Sequence, residues 1–252
     1  MSRSRHPIVT LTTDFGHADS YAAEVKGRLL AGCPGAVLVD ITHDIPVHDV
    51  EMGRYILSRA VPAFPAGALH LAVVDPGVGS TRHALVVETA TATLLGPDNG
   101  LLGPFLEGAR IRALDPARVG AKPLAPTFHG RDLFAPAAAR LAAGEPAAAF
   151  STPFANPVFL PASGAKARIL HVDRFGNCVT SVTSSDLEGH PWLGLRAGSR
   201  TVTRLVRTYA DAAADEPVAL IGSAGYLEIA FKGASAAERL ELSRGTPVHL
   251  LT

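Results

Sequence analysis

Apolar positions along this chain follow two different rhythms. In the first part, short apolar or β-branched runs alternate with stretches whose hydrophobic residues recur at helical spacing. The runs at residues 8–13, 36–41, 69–74, 84–88 and 92–95 predict strands. Asp19 and Ser20 are placed to cap a helix over 21–32, closed by Gly32, Cys33 and Pro34. A second helix is predicted from Asp49 to Ala60, and a third, rich in alanine and leucine, over 131–143 before Gly144. Near-continuous apolar strands separated by helices are the pattern of a covered, largely parallel α/β sheet. Prolines then accumulate (Pro146, Pro153, Pro157 and Pro161) and the periodicity stops, which reads as a linker. Beyond it, alternating runs at 167–173, 178–182, 201–208, 217–221, 227–231 and 247–251 predict a small all-β barrel or sandwich. The expected organisation is an α/β domain over 1–155, a linker over 156–166 and a β-barrel-like domain over 167–252.

Composition narrows the function classes. With 47% hydrophobic and 18% charged residues among 252, the chain has enough apolar surface to offset chain entropy, which excludes disorder. Lys plus Arg and Asp plus Glu are both 23, so the net charge is zero, against the basic surplus of a phosphate-neutralising nucleic-acid binder. Cys33 and Cys178 share no ligand spacing, so neither a disulfide framework nor a structural zinc is expected. No window approaches the roughly 18–20 apolar residues of a membrane span. The first seven residues are polar and lack signal-peptide character. These features predict a soluble protein of a reducing compartment, the cytoplasm, with no membrane or nucleic-acid partner.

Acids stand just after three predicted strands: Asp14, then Asp44 in Thr42-His43-Asp44, then Asp75. Ligands of open α/β sheets bind outside the carboxyl ends of strands, so this edge is the predicted site. Familiar motifs are missing there. Gly77 and Gly79 are followed by Arg82 where a dinucleotide fingerprint needs a third glycine opening a helix, and no P-loop or HExxH occurs. Gly222-Ser223-Ala224-Gly225 is not a nucleophile elbow, because glycine directly precedes the serine. What remains is Asp75, Arg82 and His129. Each also has a plain reading: Asp75 starts an Asp-Pro-Gly turn, Arg82 is a solvated loop arginine, and His129 is a helix-entry residue.

Seven motifs in chain order carry a resemblance: Thr-Thr-Asp-Phe-Gly at 12–16 with Asp19 and Tyr21, Ile-Thr-His-Asp-Ile-Pro at 41–46, Val-Asp-Pro-Gly-Val-Gly at 74–79 with Arg82, Gly-Pro-Asp-Asn-Gly at 96–100, Phe-His-Gly-Arg-Asp at 128–132, Asp-Arg-Phe-Gly-Asn at 173–177, and Ser-Ala-Gly-Tyr-Leu-Glu-Ile-Ala at 223–230. Together they resemble the S-adenosyl-L-methionine hydrolases (SAM hydroxide adenosyltransferases), relatives of the fluorinase and chlorinase. The resemblance implies an N-terminal α/β domain with a C-terminal β-barrel, and a homotrimer whose sites lie between neighbouring subunits. No metal and no cofactor are expected, because the histidines are scattered without ligand spacing beside an acid. The resemblance also implies that Asp75, Arg82 and His129 activate water and that Asp14 grips the ribose hydroxyls. Asp19 and Asp173 would face the methionine ammonium, Ser223 its carboxylate, and Phe175 and Asn177 the adenine, with Tyr226 and Glu228 in the matching C-terminal motif. Gly222 departs from the asparagine often found before the serine. Ala224 replaces an arginine, and Tyr21 a serine, of the halogenases; the chain is also too short for their extra loop. These departures favour hydrolase over halogenase.

The expected reaction is attack of water at C5′, giving adenosine and L-methionine. His129 or its hydrogen-bonded partners would accept the proton, while Asp75 and Arg82 orient the water. Two alternatives stay open: halide as nucleophile, or a sensor that binds S-adenosylmethionine or adenosine without turnover.

Overall fold

The computed structural model describes residues 6–120, 124–159 and 167–251. It divides into two compact units, residues 1–160 and 161–252. The first unit runs β1 (Ile8–Thr13), α1 (Tyr21–Gly32), β2 (Val37–Thr42), α2 (Val50–Ala60), β3 (Ala68–Val73), β4 (Ala84–Glu88), β5 (Ala92–Pro97), β6 (Arg110–Leu114), α3 (Pro116–Val119), α4 (Ala135–Ala142) and β7 (Ser151–Pro153). Its seven strands form one sheet in the order β2-β1-β3-β5-β4-β6-β7.

The helix starts follow their caps. Asp49 accepts from Met52 N–H at 2.9 Å at the start of α2. The capping read for α1 falls differently: Ser20 holds the cap position without a side-chain cap bond, and its hydroxyl bonds Glu24 instead.

Strands β2, β1, β3 and β5 are parallel, but β5, β4, β6 and β7 pair antiparallel. The largely parallel sheet predicted from sequence is therefore mixed. Strands β4 and β5 are joined by too few residues for a crossover helix, so they close as a hairpin. Two short strands, β6 and β7, escaped the sequence reading. Strand β7 falls in the proline-rich stretch, and β6 alternates charged and apolar residues.

Chain order positions the site. The β1–α1–β2 crossover moves outward on the sheet, and the β2–α2–β3 crossover returns past β1. Right-handed crossovers in opposite directions place their helices on opposite faces. Val25 and Leu29 of α1 accordingly pack with Val9, Leu11, Leu71 and Val73, whereas a Cβ at Gly53 of α2 would meet Val74 and Leu101. The strand order thus switches between β1 and β3, where α/β sheets open a crevice. Alanine-rich α4 lies close on α1; a Cβ at Gly32 would stand 2.7 Å from that of Ala139.

The second unit runs β8 (Ile169–Val172), β9 (Cys178–Thr183), β10 (Gly194–Ala197), β11 (Arg200–Val202), β12 (Val218–Ile221), β13 (Tyr226–Ala230), α5 (Ala236–Leu240) and β14 (Val248–Leu251). Two antiparallel sheets, β11-β10-β14 and β12-β13-β9-β8, share one core. They join along an edge where Ile169 and Gly245–Thr246 exchange backbone hydrogen bonds. This is the all-β architecture read from sequence, with two corrections. The run at 201–208 keeps strand geometry only to Val202, and β10 and α5 were not foreseen.

Residues 160–166 of the expected linker lie outside the described residues. Its first part packs on the first unit, where Val158 N–H donates to buried Asp98 at 2.7 Å.

Candidate active site

Strand β1 leads to Asp14 and β3 to Asp75, so the crevice between them is walled by two carboxylates. A cavity of about 510 Å³ opens there. Its wall includes Asp14, Asp75, His129 and an aromatic group of Phe15, Tyr21 and Phe128. Phe128 meets Phe15 and Tyr21 edge-on, with ring centres 5.7 and 5.2 Å apart. Arg131 also lines the cavity, but its guanidinium is committed to Asp132 and Glu24 at 2.7–2.8 Å.

The sequence-predicted trio is assembled. Asp75 begins a turn, as its plain reading held, with Val78 N–H donating to its carbonyl at 3.2 Å. Its carboxylate does separate work. Arg82 Nε donates to Asp75 Oδ1 at 2.8 Å and Nη2 donates to Oδ2, a bidentate pair with both side chains largely buried. The same Nη2 lies 3.1 Å from His129 Nδ1. A guanidinium has donors only, so Nδ1 must offer its lone pair and the proton of the neutral ring sits on Nε2. Burial, reinforced by the Arg82 charge, pushes the His129 pKa down, so the ring is neutral at pH 7.

His129 caps a π-helical turn, Gly130–Phe134, that runs into α4. Such turns are frequent at functional sites. The sequence reading of one regular helix over 131–143 missed it.

Asp14 Oδ2 accepts from the His48 backbone N–H at 2.9 Å. Beneath it, Thr13 Oγ1 accepts from Phe15 N–H at 3.3 Å and pairs with the ring of fully buried His43 at 2.7 Å. Asn99 Nδ2 donates to the carbonyl of Val74 at 2.8 Å, fixing the backbone just before Asp75. His43 and Asn99 stood in quoted motifs without an assigned role. No sequence signal marked His48. Asp19 stands exposed in the turn before α1 rather than in the cavity wall.

The other candidates lie in the second unit, in two groups. Asp173, Phe175 and Asn177 form the turn between β8 and β9. Asp173 Oδ1 accepts from the N–H groups of Phe175 and Asn177, and Oδ2 from Asn177 Nδ2, all at 2.9 Å. The carboxylate assigned to methionine therefore organises its own turn, and leaves Phe175 78% exposed. Ser223 lies exposed in the turn before β13, which begins at half-buried Tyr226. Buried Glu228 accepts from the Tyr209 hydroxyl at 2.7 Å. A Cβ at Gly222 would fall 1.8 Å from Glu228 Oε1, so the glycine at that departure makes room for this carboxylate. Register places Cys178 opposite Ile229 and Thr183 opposite Tyr226, so the two turns sit at opposite ends of the β9–β13 pair.

Among the described residues, no group of three or more His, Cys, Asp or Glu side chains is placed to hold a metal ion, and no helix is long and apolar enough to cross a membrane.

These features define a two-unit protein: an α/β unit with an acid–arginine–histidine cluster at its switch-point crevice, and a unit of antiparallel sheets. A family model described as the SAM hydroxide adenosyltransferase N-terminal domain matches residues 9–151, and its C-terminal counterpart matches 167–249. The chain belongs to the SAM hydroxide adenosyltransferase family. A Thermus thermophilus protein named (R)-S-adenosyl-L-methionine hydrolase is 41% identical over 96% of this chain and 99% of its own. A Salinispora tropica protein of the same name is 40% identical over 95% of each. A fluorinase from an Actinoplanes species is 29% identical over 98% of each. Among solved structures, an uncharacterized conserved protein from Thermotoga maritima matches with a TM-score of 0.86 at 29% identity, over 97% of this chain and 100% of that one.

Proposed function

We propose that this chain hydrolyses S-adenosyl-L-methionine to adenosine and L-methionine. The observation that carries the reading is the Asp75–Arg82–His129 cluster, with Asp75 and His129 in the wall of a cavity that also holds Asp14. Its relatives' names and family support it.

Water attacks C5′ as the C5′–S bond breaks, and the bonding pair leaves with sulfur. The sulfonium departs as a neutral thioether, so the leaving group needs no proton. The water proton must go to a base. His129 Nδ1 is occupied by Arg82, so the imidazole offers the cavity an N–H donor rather than a lone pair. Asp75 keeps a free lone pair on each oxygen beside its bonds to Arg82, and is the acceptor in this reading; the proton then passes to solvent. Arg82 clamps both partners and counters charge developing on oxygen. Asp14 accepts from the ribose hydroxyls, Phe175 and Asn177 address the adenine, and Ser223 the methionine carboxylate. Asp19 and Asp173 toward the ammonium, and Tyr226 and Glu228 of the C-terminal motif, complete the proposed set. Asp173 would act there through its turn.

The same reading includes domain limits of 1–155 and 167–252 with the linker between. It also includes a homotrimer with sites shared between subunits, and a cytoplasmic location that suits two free, buried cysteines. Sedimentation analysis tests the trimer.

Incubating the purified protein with S-adenosylmethionine in ¹⁸O-water, with and without chloride, tests the function. Adenosine carrying the label in both conditions is expected. A 5′-chloro nucleoside would favour the halogenase reading, and binding without products the sensor.

A further inference from the structure

His48 is the feature of the cavity that neither motif nor chemistry anticipated. Its φ is +64°, in the left-handed region where a side-chain-bearing residue is uncommon. It is the cavity-lining residue with this strain, and its backbone N–H is the donor to Asp14 Oδ2. The neighbouring backbone is closed on both sides. Asp49 N–H donates to the Pro46 carbonyl at 2.9 Å, Val50 N–H donates to the His48 carbonyl at 3.0 Å, and Asp49 then caps α2. The chain must leave β2, reverse and enter α2 within this loop. The left-handed residue is where it reverses, and that reversal points one amide at Asp14, just after β1.

We infer that His48 is a positioning residue for Asp14, acting through its backbone conformation rather than through its imidazole. The amide fixes one carboxylate oxygen and so sets the direction in which the other meets a ligand diol. Strain at a non-glycine residue persists where surrounding structure imposes it, and such strain clusters at functional sites. The inference rests on the ribose role proposed for Asp14.

The test compares substitutions that all remove the imidazole but differ in tolerance of a positive φ. His48→Gly and His48→Asn accept the left-handed region, and His48→Val resists it. Adenosine affinity, measured by calorimetry, is expected to be about tenfold or more lower in His48→Val than in His48→Gly, with His48→Asn near the glycine variant. The melting temperature should follow the same order, with valine below glycine by about 2–4 °C. Equal losses of affinity in all three variants would assign the effect to the imidazole and overturn the inference. So would a melting order unrelated to backbone tolerance. Wild-type protein that binds neither adenosine nor S-adenosylmethionine would instead overturn the functional reading, and the melting order would still judge His48.

Discussion

Around the cavity of the first unit, Asp75, Arg82 and Asp14 are each tied to protein partners, and His129 is locked in one tautomer by Arg82. In the second unit, Phe175 stands 78% exposed on a turn whose polar groups bond to one another. The first region is organised before any ligand arrives; the second presents an unburied surface on an organised turn. Groups that act on a transition state gain from fixed geometry, because reorganisation at the moment of reaction is costly. A stacking surface needs only to be held at the right place. In the proposed reading, the contrast separates the water-handling cluster and the ribose acid from the adenine-facing turn, and it can be broken by substitution.

The largest effect should come from the proposed proton acceptor. Asp75→Asn keeps an oxygen for Arg82 but loses the base, and turnover should fall by about 10²–10⁴-fold. His129→Gln preserves a donor near the place of Nε2 and should retain clearly more turnover than His129→Ala. Single-turnover measurements check both. If His129→Gln were as impaired as His129→Ala while Asp75→Asn kept its rate, the imidazole would be the base and the tautomer argument would fail.

Next is a stability effect at a buried residue of the first unit. His70 on β3 is fully buried; its Nδ1 pairs with Thr10 Oγ1 at 2.8 Å, and its Nε2 has no hydrogen-bond partner among the described residues. Burial pushes its pKa down to about 4. The unfolded chain binds a proton near pH 6.5 that the folded one refuses until about pH 4. The stabilisation is thus present above 6.5 and lost as pH falls between those values. Urea unfolding at pH 7 and pH 4 should differ by roughly 3 kcal/mol less in His70→Asn than in wild type. His43 and His129, whose pKa values burial also lowers, add to the acid sensitivity of both proteins. Identical pH dependence in the two would show that His70 is not held neutral.

A smaller loss is expected at the ribose contact proposed for Asp14. Asp14→Ala removes a charged acceptor and should weaken adenosine binding by roughly 1.5–3 kcal/mol. Unchanged affinity by calorimetry would remove Asp14 from the ligand.

What the sequence made legible follows the same division. Strands β1 and β3 were readable because both are buried and built mostly of β-branched or apolar residues, and the acids after them marked the crevice. Strands β6 and β7 were not readable, since one alternates charge with apolar residues and the other is three residues long. Asp75, Arg82 and His129 were identifiable as a set, but the tautomer of His129 depends on a contact between residues 47 positions apart. His48 had no signal at all. A left-handed backbone at a histidine is imposed by the path between β2 and α2, not by local propensity. Asp173 was expected to face the ligand, whereas the hydrogen bonds of its carboxylate stay within its own turn, which the sequence did not indicate.

The smallest effect tests whether the second unit contributes recognition alone. An exposed ring adds little to folding, so Phe175→Ala should leave the melting temperature where it is. On binding, the ring would be covered by a base, and an aromatic contact of this kind contributes about 0.5–1.5 kcal/mol beyond the area it buries. The KM for S-adenosylmethionine should therefore rise by a few-fold up to about tenfold, with Phe175→Tyr restoring most of it. Asp173→Ala acts differently. It frees the N–H groups of Phe175 and Asn177 and the Asn177 amide together, so it should raise KM and lower the melting temperature at once. Loss of stability in Phe175→Ala, or unchanged stability in Asp173→Ala, would mean that the ring and the turn had exchanged the roles assigned to them.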